Sequence, residues 1–197
     1  MRLLSLKLRS YARVLLRGVI LSCVLVLPDQ ASGELPDYSG YRVMDTAFTR
    51  IFFPENNALL RFNRNLKLGR VDQLINWGAL KSTDPSHAVA AKVDALFRRV
   101  EDILDMRPEG MRTTLMIASD RQEFRRIYRK MYRSETELIA FFSPARNVIV
   151  IDATEVTANV LAHEMAHAVI HAYYGNASTP GKVHEILAQY VDLHLHD

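Results

Sequence analysis

Apolar side chains recur along this chain with two different periods, and the switches between them outline its elements. Over Tyr41 to Phe53, β-branched and aromatic residues crowd into a run that stops at Pro54, which predicts one or two strands. Asn57 to Leu80 predicts one or two short helices, interrupted at Gly69 and Gly78. Asp84-Pro85 opens a helix to about Met106, because Val89, Val93, Leu96, Phe97, Val100, Ile103 and Leu104 recur at helical spacing. Thr113 to Ala118 reads as a buried strand, and Ser119 or Asp120 caps an amphipathic helix through Tyr132. Leu138 to Phe142 and Val148 to Ile151, joined by a turn at Ser143-Pro144-Ala145-Arg146, predict a hairpin.

Two further helices close the sequence. Asp152-Ala153-Thr154-Glu155 has the spacing of a capping box, so a helix is expected from about Glu155 to Tyr174, where Gly175 supplies a stop. Val156, Val160, Leu161, Ala168, Val169 and Ile170 give it the largely apolar body of a buried helix. Asn176 to Thr179 is a polar connection, and Pro180 suits the first turn of the next helix with Thr179 as its cap. That helix, Lys182 to about Leu195, is expected to fold back on the first as an antiparallel pair.

Residues 1–33 change the charge account. Arg2, Lys7, Arg9, Arg13 and Arg17 precede an apolar run from Val19 to Leu27, and Ala31-Ser32-Gly33 supplies small residues for cleavage. The run is far short of the roughly 20 residues of a membrane span. A signal peptide over residues 1–33 is expected, with an uncleaved membrane anchor as the alternative, leaving one domain over 34–197. Setting the leader aside takes Lys plus Arg from 25 to 20 and Asp plus Glu from 22 to 21, so the net charge passes from +3 to −1. The basic character therefore belongs to the leader, and nucleic-acid binding loses its main support. Cys23 leaves with the leader, which excludes disulfides and thiol chemistry from the remainder and suits an exported protein, periplasmic or secreted.

The apolar helix over residues 155–174 carries the chain's most specific chemistry. His163-Glu164-Met165-Ala166-His167 is an H-E-x-x-H pattern, with two imidazoles one turn apart and a carboxylate beside the first. Positions four apart lie about 6 Å apart on one helix face, so both rings can reach one zinc ion (Zn2+) at about 2.0–2.1 Å. Glu164 points beside that axis, where it can take a proton from an attacking water. Such groups inside an apolar helix are costly unless paired or ligated, the plainer alternative being hydrogen-bonded core histidines. A zinc site needs a third protein ligand. His171 lies about 12 Å along an unbroken helix from His163, too far to share one ion with it and His167. The fold-back of the next helix brings Glu185 toward the site, with His184 beside it as the rival ligand.

His163-Glu164-x-x-His167, followed by Glu185 in the run His184-Glu185-Ile186-Leu187-Ala188-Gln189-Tyr190, resembles the gluzincin peptidases of the MA clan. The likeness is sharp over residues 160–192 and extends in layout over about residues 40–197. It implies an α+β, zincin-like domain, a small mixed sheet with an active-site helix and a following third-ligand helix. It also implies that His163, His167 and Glu185 bind zinc and that Glu164 is the general base, with Ala188 in the small-residue position three beyond the ligand. The metzincin pattern is absent, because Ile170 and Tyr173 stand where it needs Gly and His. Ile186 follows Glu185 where many relatives have Gly. Gln189 stands where some carry an Asp that orients a ligand histidine, a role its carbonyl can take as a weaker acceptor.

The function expected from this resemblance is zinc-dependent peptide hydrolysis on a peptide or protein substrate. The alternatives are an inactive zinc-binding module of the cell envelope and a metal-free helical domain held at the membrane by its leader. Domains of this kind place an edge strand beside the metal helix for an added peptide strand, and either arm of the hairpin is expected to serve. Arg146 is expected as a turn residue, with substrate contact as the alternative. Tyr173, Tyr174, Tyr190, His171, His194 and His196 are the near candidates for stabilising an oxyanion, and the sequence does not rank them. Arg121, Arg125, Arg126, Arg129, Lys130 and Arg133 are expected to form a solvated helix face, with an anionic surface site as the sharper alternative.

Overall fold

The computed structural model describes residues 38–74, 84–175 and 179–197. The leader over residues 1–33, the break at Gly78 and residues 176–178 of the polar connection lie outside the described residues. The chain is mixed α+β. In order come β1 (Arg42–Asp45), β2 (Thr49–Phe53), α1 (Asn56–Asn65), a 3-10 turn (Gly69–Leu74), α2 (Pro85–Leu104), β3 (Thr113–Ala118) and α3 (Arg121–Tyr132). They are followed by β4 (Ala140–Ser143), a 3-10 turn (Pro144–Arg146), β5 (Val148–Asp152), α4 (Ala158–Tyr174) and α5 (Gly181–His194).

The strands form one five-stranded sheet in the order β1-β2-β3-β5-β4. β2, β3 and β5 run parallel, while β1 and β4 are antiparallel edges. The two-residue period of the strands sorts the core into two layers. Ile51, Phe53, Leu115, Ile117, Ile149 and Ile151 point to the face covered by α1, α2, α4 and α5. Met116, Ala118, Val148 and Val150 point to the opposite face, under Phe124, Ile127 and Met131 of α3. Because β3 and β5 are covered on both faces they read as continuous apolar runs, whereas β4 ends the sheet beside α4.

Several boundaries differ from the sequence reading. The capping box at Asp152 does not form. Asp152 Oδ1 accepts from the backbone N–H of Thr154 at 2.8 Å and from its hydroxyl at 2.7 Å, which closes a local turn. α4 starts later, capped by Thr157, whose Oγ1 accepts from the Val160 N–H at 3.2 Å. At α5, Pro180 occupies the capping position rather than the first turn, and no side chain caps the helix. β4 begins at Ala140 rather than Leu138, because the carbonyls of Glu137 and Leu138 are taken by the Arg121 guanidinium. α2 ends at Leu104, two residues short of Met106, where Asp105 turns left-handed at φ 51°.

The basic face of α3 meets carboxylates. Arg125 and Arg121 face Glu137 at 2.7 and 3.4 Å, Arg129 faces Glu135 at 2.6 Å and Arg126 faces Glu123 at 3.3 Å. Much of the positive charge on this helix is therefore neutralised locally.

Candidate metal centre

The fold-back of α5 on α4 creates a polar seam in an otherwise apolar helix pair. Asn159, His163, His167 and His171 stand four residues apart on α4 and so share one face. Across it runs antiparallel α5: Asp192 contacts Asn159 and His163, Glu185 lies against His163 and His167, and His184 lies against His167.

His163, His167 and Glu185 converge, with their three ligand atoms all within 4.8 Å of one another. Glu185 Oε2 lies 3.8 Å from the Nε2 of each histidine. Ligands at about 2.05 Å from one tetrahedral centre stand about 3.3 Å apart, so the arrangement is slightly open for zinc. His184 is not in the group, and neither is His171.

The imidazole of His163 is almost wholly buried, at 1% exposure. Its Nδ1 lies 2.9 Å from Asp192 Oδ2, which fixes the N–H on Nδ1 and turns the Nε2 lone pair toward Glu185. That Nε2 has no hydrogen-bond partner among the described residues. An unpartnered buried nitrogen costs about 1–3 kcal/mol, and a metal ion would satisfy it. Two imidazoles and a carboxylate are a donor set that zinc accepts. The residues present therefore fit the metal that the motif implies.

Around these ligands, the sequence misplaces one supporting role. Gln189 does not orient a histidine. It lies one turn beyond Glu185 on the same helix, and its amide donates to Glu185 Oε1 at 2.9 Å, leaving Oε2 toward the histidines. The orienting carboxylate is Asp192, seven residues after Glu185, a two-turn spacing that returns it to the same helix face.

Electrostatics separate the groups. Burial, with smaller contributions from His163 and His184, drives the His167 pKa down to about 3, so this ring is neutral and free to ligate. Burial also opposes protonation of His163, but the Asp192 hydrogen bond and the charges of Glu164, Asp192 and Glu185 outweigh it and raise its pKa. Glu164 is nearly buried, at 6% exposure. Burial pushes its pKa up to about 7, against the opposing influence of His163 and of a hydrogen bond from the Phe142 backbone N–H. That contact ties the motif helix to edge strand β4, and nothing in the local sequence announces it.

Among the described residues, no helix is long and apolar enough to cross a membrane. Comparison of the chain with protein-family models, curated proteins and solved structures finds no match.

Proposed function

We propose that this protein is an exported zinc peptidase with a gluzincin-like domain. The observation that carries the reading is the convergence of His163 Nε2, His167 Nε2 and Glu185 Oε2, with buried Glu164 adjoining the first ligand. The mixed sheet with antiparallel edge β4 beside α4 supports the zincin-like layout, and the basic-apolar leader supports export.

His163, His167 and Glu185 would hold the ion, with Asp192 fixing the His163 tautomer and Gln189 fixing the carboxylate. Zinc bound there supplies Lewis acidity that polarises the scissile carbonyl and acidifies the attacking water. Glu164, with its pKa near 7, accepts a proton from that water as its oxygen bonds to the carbonyl carbon. When the C–N bond breaks, the same carboxyl group delivers the proton to the departing amine. Edge strand β4 is the surface on which an extended peptide would add as a further strand.

The purified full-length chain is expected to carry one zinc ion and to cleave members of a peptide library. Chelation should remove cleavage, and added zinc should restore it. Elemental analysis without stoichiometric zinc would sink the reading, and zinc retained without cleavage across broad libraries would point to a binding module. Asp192→Ala is expected to weaken zinc binding about 10–100-fold with the fold intact, as loss of an orienting partner does. Competitive chelator titration beside circular dichroism checks this, and an unchanged affinity would detach Asp192 from the site.

A further inference from the structure

Water adding to a peptide carbonyl places negative charge on the carbonyl oxygen, and a hydrogen-bond donor there is worth most in a site shielded from solvent. The side chains that the sequence offers for this role are exposed, packed against other rings or hydrogen-bonded to other residues. Tyr173 and Tyr174 pack edge-to-face at 5.4 Å and are both exposed. Tyr190 lies 4.3 Å from the His194 ring, and His194 pairs with Asp197. His196 Nε2 meets Asn159 Oδ1 at 3.2 Å. His171 packs 5.8 Å from Phe142, one turn beyond His167.

His184 is placed differently. Its ring lies nearly parallel to that of His167, with centroids 6.0 Å apart and planes 23° apart. It is only partly exposed, and its imidazole forms no hydrogen bond among the described residues. It adjoins Glu185 in sequence, so the Gln189–Glu185 hydrogen bond that steadies the ligand also steadies the turn from which His184 projects. A partly buried imidazole with no hydrogen-bond partner among the described residues, one ring's width from a proposed metal ligand, has its hydrogen-bonding capacity available to a substrate.

We propose that His184 is a catalytic residue that donates a hydrogen bond to the substrate carbonyl oxygen as charge develops on it. The assignment rests on the peptidase reading above. No proton is transferred; the ring N–H stabilises the oxyanion and keeps its hydrogen.

The test uses the zinc-loaded full chain, His184→Ala and His184→Gln. His184→Ala is expected to keep its zinc, lose about 100–1000-fold in kcat and hold KM within about twofold, the pattern of an interaction made only in the transition state. His184→Gln, whose amide can still donate, should recover part of the loss. Calorimetric titration with a phosphinic peptide, a tetrahedral anion, gives a readout independent of turnover. Its affinity should fall sharply in His184→Ala, while affinity for the uncleaved peptide, measured in a Glu164→Gln background, stays level. Equal phosphinate affinity in wild type and His184→Ala, with zinc intact in both, overturns this proposal alone. Loss of zinc in His184→Ala also overturns it, by making His184 a ligand. A wild-type chain that takes up no zinc overturns both this proposal and the peptidase reading.

Discussion

Glu164→Gln is expected to lower peptide cleavage by about 10²–10⁴-fold, the range that a positioned general base supplies, while the protein still binds one zinc ion per chain. Glu164 is outside the three-ligand group, so the substitution removes no metal bond. The amide keeps the size and shape of the carboxyl group and can still accept from the Phe142 N–H, but it cannot take a proton from water. Stability supplies an internal control. A carboxyl group whose pKa rises from 4.5 unfolded to about 7 folded contributes most below pH 4.5, and that contribution is lost as pH rises through 7. Glutamine does not ionise, so the metal-free variant should be no less stable than metal-free wild type at pH 8. Thermal melts check this beside zinc content and cleavage rate. Cleavage that stays within about tenfold of wild type, below that range, would remove Glu164 from the chemistry.

Periodic burial made the main elements legible in sequence. Val89, Val93, Leu96 and Val100 mark the buried side of α2 in the described structure. The apolar runs of β3 and β5 become strands covered on both faces, with neighbouring residues divided between the two core layers. The proximity of His163 and His167 was legible for a related reason, since a four-residue spacing on α4 fixes the distance between two rings without help from the rest of the fold. What could not be read depended on competition between local contacts. Asp152 has the chemistry of a helix cap, yet Thr154 is a nearer partner, and Thr157 captures the capping role. Gln189 occupied the spacing that drew attention, whereas Asp192 reaches His163 only because of the register at which α5 crosses α4. The hydrogen bond from Phe142 to Glu164 is longer-range still, since it needs β4 at the sheet edge and α4 beside it. Glu185 is the ligand expected from the sequence and His184 its rival as a helix neighbour; the crossing directs the carboxylate to both Nε2 atoms and lays the imidazole against His167.

Glu185→Ala is expected to weaken zinc binding by more than the roughly 10–100-fold that removal of a supporting partner costs. The reason lies in charge as well as in ligand number. The three converging side chains are substantially desolvated, with His163 1%, His167 15% and Glu185 27% exposed. In such surroundings the carboxylate is the one anionic donor set against a divalent cation, and two neutral imidazoles do not replace it. The substitution also removes the acceptor of Gln189, so that amide no longer steadies the turn of α5 that carries position 185. Glu185→Gln separates these effects, since it keeps the side-chain shape and an acceptor for Gln189 but lacks the charge. Its zinc affinity should fall between wild type and Glu185→Ala. His163→Ala should bind as poorly as Glu185→Ala or worse, because it removes both a proposed ligand and the partner of half-buried Asp192. Chelator-competition titrations of all four proteins provide the ranking. If Glu185→Ala binds zinc as tightly as wild type, the third ligand is another group, and the Glu185→Ala/His184→Ala double variant then tests the adjacent imidazole directly.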